Sequence, residues 1–416
     1  MRVPWRAGRA KKGTMPGSGK HRSPRTTSTA KGCFLARTRG SASTDPTDAN
    51  RAFRLHPGTT SEYERYLKCL GELCGGLVSQ EGARFLLNCP ISLCGEDFTS
   101  MAHIAVIVIS WNTRQTLERC LASLVAQGDP ADEIIVVDNG SADDSVEMVR
   151  RIAPCAKVIE LGENRGFAEG CNLGIEATSP CPDQWITLLN SDAYVQPNWI
   201  FKIRQAAEGC SRQVGSLQTR VLQVSHPQLI DTAGIKWSAE GPFEDRGRGH
   251  KAESTPRSPL FCASACAAAY RRSMLDSISL PGGVFEPSLF AYFEDVDLGW
   301  RARLAGFEAL EIKEATSLHE RHASSRGDPG RARIRHLCRR NRVSVIARNA
   351  SARLTLRLAP RLLKDLFGLT KTHGYRGAAD WFKAGALGLR TRRYISRALQ
   401  ISRRDLEKQV STTCRE

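Results

Sequence analysis

The chain has 416 residues, 41% hydrophobic and 25% charged, an ordinary globular composition and enough for one large domain or two smaller ones. The net charge of +17 is unevenly spread: residues 1–100 carry 16 Lys and Arg against 8 acids, 101–330 carry 22 against 30, and 331–416 carry 22 against 5. An acidic centre between basic flanks argues against a nucleic-acid groove in the main domain, and suits flanks that lie on an anionic surface such as a membrane.

Residues 1–60 are rich in Arg, Lys, Gly, Ser, Thr and Pro. Such a segment buries too little apolar surface to offset its ordering entropy, and disorder is expected. No apolar stretch of a secretory leader stands in residues 1–40. Residues 61–100 have some helical pattern, as in "EYERYLKCLGELCGGL", without a clear partner. Met101 stands three residues before an abrupt apolar run, so translation starting there is an alternative to reading 1–100 as part of the protein. The apolar runs "IAVIVI" and "CASACAAAY" fall short of the ~20 residues that span a bilayer. Of the 14 cysteines no two form a CxxC pair, and "CLGELC" (Cys69, Cys74), "CPISLC" (Cys89, Cys94) and "CASAC" (Cys262, Cys266) lack zinc spacing. Free thiols in a cytoplasmic protein are therefore expected.

From residue 104 strands and helices alternate. "IAVIVI" (104–109) reads as a buried strand, and "TRQTLERCLASLVAQ" puts Leu117, Cys120, Leu121, Leu124 and Val125 on one helical face. "EIIVV" (133–137) is a second strand ending at "DNGS", where Ser141 is placed to cap a helix from Ala142. "KVIEL", the helix "FAEGCNLGIEA" and the strand "WITLL" (185–189) follow. This order predicts right-handed crossovers and a parallel sheet covered on both faces. Ligands then sit beyond the carboxyl ends of the strands, at "SWN", "DNGS" and "NSDA".

Asp138, directly after a buried strand, can accept hydrogen bonds from a base or ribose, or can simply hold a turn. In "ENRGFAEGCNLGI" the glycines at 166, 170 and 174 make one smooth stripe, open to a flat ligand or to a sheet. Asn164 and Arg165 stand where an anion would be welcome. Asn190 and Asp192 of "LLNSDA" offer two oxygen ligands on one side of the chain to a hard divalent cation, with an Asx turn as the alternative. In "YFEDVDLGWRARLAGF" Asp297 can pair with Arg301, and Glu294 and Asp297 can serve helix-start amides. Asp295, near Phe293 and Val296, has no such partner and suits a general base.

Five segments, "VIVISWN…L…CLASL", "VVDNGSAD", "ENRGFAEGCNLGI", "LLNSDA" and "FEDVDLGWRARLAGF", occur in this order. Together they resemble glycosyltransferase family 2, most of all its rhamnosyltransferase-type members of bacterial polysaccharide assembly. The resemblance covers residues 104–350 and weakens toward 395. It implies a GT-A fold, a Rossmann-like α/β sheet that binds a nucleotide-sugar, here in 101–330. By resemblance Asp138 contacts the nucleoside, and Asp192 is the acid of a DxD-type motif that holds Mg²⁺ or Mn²⁺ on the diphosphate. Asp295 is the base for the acceptor hydroxyl, and His319 in "TSLHE" completes the metal site. The sequence departs from the family pattern at Asn190, where the family often has an acid, and at "ASACAAAYRR" (263–272), where it often has glycine.

The segment 331–416 is expected to be a basic helical tail. Arg339, Arg340 and Arg342 of "RRNR" can hold diphosphate or lie on a solvated helix. "LRLAPRLLKDLFGL" and "YRGAADWFKAGALGLRTRRY" mix apolar and basic residues as an interfacial helix on anionic lipid does, while a helix pair packed on the core is the rival. The expected activity is inverting, metal-dependent sugar transfer to a glycan or lipid-linked acceptor, with dTDP-rhamnose as donor. The alternatives are a UDP- or GDP-sugar donor and an inactive glycan-binding module. The expected place is the cytoplasm, peripheral to the inner face of the membrane.

Overall fold

The structure, a computed structural model, describes residues 101–181, 183–237, 243–321 and 328–413. They fall in one compact unit, Glu96–Glu416. The expectations for residues 1–100 lie outside the described residues.

A nine-stranded sheet organises this unit. In chain order its first strands are β1 (Ile104–Ser110), β2 (Glu133–Asp138), β3 (Lys157–Glu160) and β4 (Trp185–Asn190). β1 lies between β2 and β4, parallel to both, and β3 extends the sheet beyond β2. Beyond β4 come β10 (Ala267–Arg271), antiparallel, then β6 (Val214–Gln223), β11 (Glu308–His319) and β5 (Ala193–Val195). β7 (Ile230–Thr232) pairs with β6, and β8 (Ile235–Lys236) with β9 (Glu244–Asp245) form a separate ribbon.

All seven residues of β1 are buried, which is why it reads as an unbroken apolar run. Ile104, Val106 and Val108 face one core, with Leu117, Cys120, Leu121 and Leu124 of α1 (Arg114–Val125) and Trp199, Ile200 and Ile203 of α4 (Trp199–Gly209). Ala105, Ile107 and Ile109 face the other, with α3 (Phe167–Glu176), α5 (Arg272–Ser277) and α6 (Glu294–Leu304). Each fully buried Leu or Ile contributes roughly 1.5–3 kcal/mol. Val125 does not share the buried face; it is 49% exposed at the last turn of α1. α2 starts at Ser145 and ends at Ile152, not at Ala142 as expected. Ser141 caps nothing: its Oγ accepts from the Asn112 amide at 2.9 Å, and the turn before α2 is held by Asp143, which accepts from the Ser145 amide at 3.2 Å.

The basic segment folds onto the sheet domain. α7 (Asp328–Asn349), α8 (Ala352–Ile395) and α9 (Arg403–Thr413) share a third core with Trp237, Phe261 and Trp300. Gly374, at φ 62° and ψ −147°, breaks α8 into two halves. Before it, Asp365 pairs with Arg342 of α7; after it, Gly388 packs on the Ser344 carbonyl and Thr391 accepts from Arg348. The two halves thus run in opposite directions along α7. Among the described residues no helix is long and apolar enough to cross a membrane.

Candidate active site

The sheet register decides which polar residues meet. Ser110 pairs with Asp138 and Ile109 with Asn190, so the carboxyl ends of β1, β2 and β4 lie side by side. Beyond them opens a cavity of about 500 Å³, lined among others by Asn190, Asp192, Glu294, Asp295, His319 and Arg321. Asn190 and Asp192 reach it by different means than strand alternation. β4 ends at Asn190, and Ser191 and Asp192 form the turn into β5.

β11 runs antiparallel to β5 and brings His319 opposite Ala193. His319 Nε2 then lies 3.1 Å from Asp192 Oδ1, and Nδ1 lies 2.8 Å from Asp231 Oδ2. Arg321 clamps Asp231 from the far side, at 2.5 Å, and reaches Asp245 at 2.7 Å. Burial opposes a charge on His319, but Cys266, Asp192 and Asp231 around it raise its pKa well above the usual value. Burial would raise Asp231; the hydrogen bonds from His319 and Arg321 outweigh it and hold its pKa low. A carboxylate behind one ring nitrogen is the arrangement that orients a metal-binding histidine. Among the described residues no group of three or more His, Cys, Asp or Glu is set to hold a metal. Asp192 and His319 fit as a two-donor set for a hard cation whose other ligands come from a diphosphate and water.

Glu294 and Asp295 at the start of α6 reach the cavity from a strained loop. Phe290, Tyr292 and Phe293 have φ of 64°, 69° and 73°, each a left-handed conformation costing on the order of 1–3 kcal/mol for a residue other than glycine. The next three acids have three different environments. Glu294 is buried, and its Oε2 has no hydrogen-bond partner among the described residues. Burial first, then the charge of Asp295, raises its pKa to about 8. Among the described residues Asp295 accepts only from main-chain amides, Val296 at 2.8 Å and Ala265 at 3.4 Å. Burial raises it to about 6, against the pull of those amides. Asp297 is fully buried, with Arg301 at 3.0 Å, Arg348 at 2.7 Å and the Asn349 amide at 2.9 Å. Burial acts against its charge, but the two arginines hold its pKa low. The Asp297–Arg301 pair was expected; the helix-capping roles of Glu294 and Asp297 were not found.

Asp138, Asn164, Arg165 and Gly166 do not line this cavity. Asp138 is buried, accepts from the Ser141 amide at 2.9 Å through Oδ2, and keeps Oδ1 without a partner among the described residues. Asn164 accepts from the Gly166 amide at 2.9 Å, and Arg165 lies 3.4 Å from Glu163. Gly166 has φ 90°, and a Cβ there would stand 2.6 Å from the Phe290 ring. Of the glycine stripe, Gly170 and Gly174 pack against Ile109 and Ile107, the sheet-packing alternative.

The basic trio is not on the cavity either. Arg340 donates to the carbonyls of Ser288 at 2.6 Å and Leu289 at 2.9 Å, and Arg342 pairs with Asp365 over the Phe293 ring. Arg339 packs against Gly368. Their charge is used in joining α7 to its neighbours.

Sequence reasoning missed Asp231, Asp245, Arg321 and Asn139. Asn139 accepts from the Arg165 amide and donates to the Gly166 carbonyl, both at 3.2 Å, tying the two turns together. Arg321 lies in the turn just after β11, where strand alternation gives no guide. Asp231 sits in a three-residue strand, too short to show a period.

The sheet and its flanking helices have the GT-A fold. Residues 105–279 match the family model of glycosyl transferase family 2. The N-acetylglucosaminyl-diphospho-decaprenol L-rhamnosyltransferase of Mycobacterium tuberculosis is 26% identical over 325 residues, 72% of this chain and 95% of that protein. The succinoglycan biosynthesis protein ExoO of Rhizobium meliloti is 31% identical over 112 residues, 27% of this chain and 31% of that protein. Among solved structures, GalNAc-T7 with UDP, GalNAc and Mn²⁺ superposes with a TM-score of 0.53 at 12% identity, over 76% of this chain and 57% of that one. Residues 105–279 thus form a domain similar to glycosyl transferase family 2, and a rhamnosyltransferase is among the chain's relatives. Asp295 and His319 lie beyond the residues matched by the family model.

Proposed function

We propose that the protein transfers a sugar, with inversion, from a nucleotide donor to a glycan or lipid-linked acceptor in cell-envelope polysaccharide synthesis. The observation that carries this reading is the meeting of the Asp192–His319 pair and Asp295 in one cavity at the carboxyl ends of the strands. dTDP-rhamnose is the proposed donor, and the mycobacterial relative's name supports a diphosphate-linked polyprenol acceptor.

In this reading Asp138, at the end of β2 beside the cavity and with Oδ1 unpartnered among the described residues, contacts the nucleoside. Asp192 and His319 would hold Mg²⁺ or Mn²⁺, which when bound offsets the charge of the departing nucleoside diphosphate. Asp231 fixes the His319 ring so that Nε2 points to the donor side. Asp295, desolvated and held only by amides, takes the proton from the acceptor hydroxyl as that oxygen attacks the anomeric carbon. Glu294, whose raised pKa favours the protonated form, adds no second negative charge beside the base.

The outer side of α8 supports a membrane-surface role. Leu356, Leu363 and Phe367 before Gly374, and Tyr375, Phe382 and Leu389 after it, are all exposed, Phe367 by 70%. Their spacing of four and seven residues gives each half an apolar stripe, among Arg353, Arg357, Lys364, Lys371, Arg376, Lys383 and Arg390. That composition suits the interface of an anionic bilayer, where a lipid-linked acceptor would be presented.

The test is titration of the protein with dTDP-rhamnose and with UDP- and GDP-sugars, in Mn²⁺ and in excess chelator. One donor is expected to bind in Mn²⁺ and to lose affinity in chelator and in Asp192→Ala. Equal binding of that donor in all three conditions would refute the metal site.

A further inference from the structure

The cavity wall from Ala291 to Asp295 depends on a contact made 50 residues later in the chain. Asn341 of α7 is buried, and the two N–H bonds of its Nδ2 are shared among three carbonyls in and just before the strained loop: Leu289 at 2.8 Å, Ala291 at 2.9 Å and Tyr292 at 2.7 Å. Its Oδ1 accepts from Arg340, from Nε at 2.9 Å and from Nη2 at 2.7 Å. Arg340 is a donor only, so it fixes the amide with its oxygen outward and its nitrogen on the loop. With the amide turned over, the loop would lose its donors, and the amide nitrogen would face the guanidinium.

Left-handed residues persist only where their surroundings over-determine them. Phe290, Tyr292 and Phe293 are three such residues within four positions, none of them glycine. Other bonds also act on the loop: the Phe290 carbonyl accepts from the Ala168 amide at 3.1 Å, the Phe293 carbonyl from the Asp297 amide at 2.9 Å, and the Ala291 amide donates to the Leu289 carbonyl at 2.7 Å. Asn341 holds the middle, at the carbonyls of Ala291 and Tyr292. Arg348 and Asn349, two turns further along α7, hold Asp297. One helix therefore grips both sides of the segment that carries Asp295.

We propose that Asn341 is a positioning residue for the transfer reaction: by holding the left-handed loop 290–293 it sets the aim of Asp295 at the acceptor hydroxyl. Arg340 acts through it, orienting the amide. This rests on the reading of Asp295 as the base, but the loop itself can be examined without turnover.

The experiment uses the full chain as wild type, Asn341→Ala, Asn341→Asp and Leu358→Ala. Asn341→Asp has the same size but offers an acceptor where three carbonyls need a donor. Leu358→Ala weakens the third core away from the loop and controls for general destabilisation. Two quantities are read: hydrogen exchange of the amides from 290 to 297, and transfer from dTDP-rhamnose to an N-acetylglucosaminyl-diphospho-polyprenol. Both Asn341 variants are expected to speed loop exchange about tenfold or more over Leu358→Ala. They are also expected to lower kcat by roughly 10–100-fold with donor KM within about twofold, the signature of a misplaced group. Loop exchange equal to that of wild type in Asn341→Asp, or unchanged kcat with a faster-exchanging loop, would overturn the proposal. If wild type does not turn over this donor–acceptor pair, that substrate assignment fails, and the exchange result alone decides whether Asn341 holds the loop.

Discussion

Asp295 and Asp297 stand two residues apart and have opposite chemistry. Asp297 faces Arg301 and Arg348, so its charge is matched inside the fold; Asp295 meets only amides among the described residues, so no cation there matches its charge. Removing the matched charge is costly. Asp297→Asn leaves two buried guanidinium groups short of a carboxylate and is expected to destabilise the protein by on the order of 3–5 kcal/mol, measured by denaturant unfolding. A loss near that of a surface cap, about 1 kcal/mol, would show that the pair is not buried in solution. Glu294→Gln should do the reverse. A carboxyl whose folded pKa is raised loses stability as pH climbs from its unfolded value toward its folded value of about 8, because the unfolded state releases its proton first. The Gln variant should therefore gain in Tm over wild type as pH rises through that window, and then level off. A constant difference across the window would contradict the burial of Glu294. The three acids looked like one cluster in the sequence because their partners, Arg348, Asn349 and the amides of a remote turn, are set only by the fold.

Among the elements, β1, β2, β4 and the helices between them were legible because burial on both faces or on one imposes an apolar period. α7 was not. "RRNR" reads as a cation set, and charge alone does not reveal that its asparagine contacts the loop that leads into Asp295. Nor does the loop announce its strain, since "FAYF" contains no glycine. For α8 the core-packing reading holds on one face, and the exposed face carries the membrane reading only as a proposal. Leu354, Leu358, Leu362 and Leu369 pack on the core, while Leu363, Phe367 and Phe382 face outward. If the outer face lies on lipid, the protein should sediment with anionic vesicles, less so as salt rises, because such contacts are screened. Phe367→Ser with Phe382→Ser should weaken that binding and leave Tm nearly unchanged. Equal binding to neutral vesicles, or none to either, would count against a charged membrane face.

At the scale of the whole molecule, the parallel strands gather Asp138, Asn190 and Asp192 at one edge, as their positions after apolar runs suggested. What closes the site comes from later in the chain: β11 delivers His319, α6 delivers Asp295, and α7 holds α6 in place. Long-range closure of this kind has no local period, so resemblance pointed to His319 and Asp295 while their supports, Asp231 and Asn341, stayed hidden. The central claim is that Asp295 is the base of a sugar transfer whose donor is held elsewhere in the cavity. The most direct measurement is transfer by wild type and Asp295→Asn with the donor that binds, from about pH 5 to about pH 8, with donor affinity measured in parallel. The account predicts that kcat falls by ~10²–10⁴ in the variant while donor affinity stays within a few-fold. It also predicts that wild-type kcat/KM rises with pH through about 6, the raised pKa of the base, which must be deprotonated to act. Near-normal turnover by folded Asp295→Asn, or a wild-type rate that does not change across that range, would contradict it.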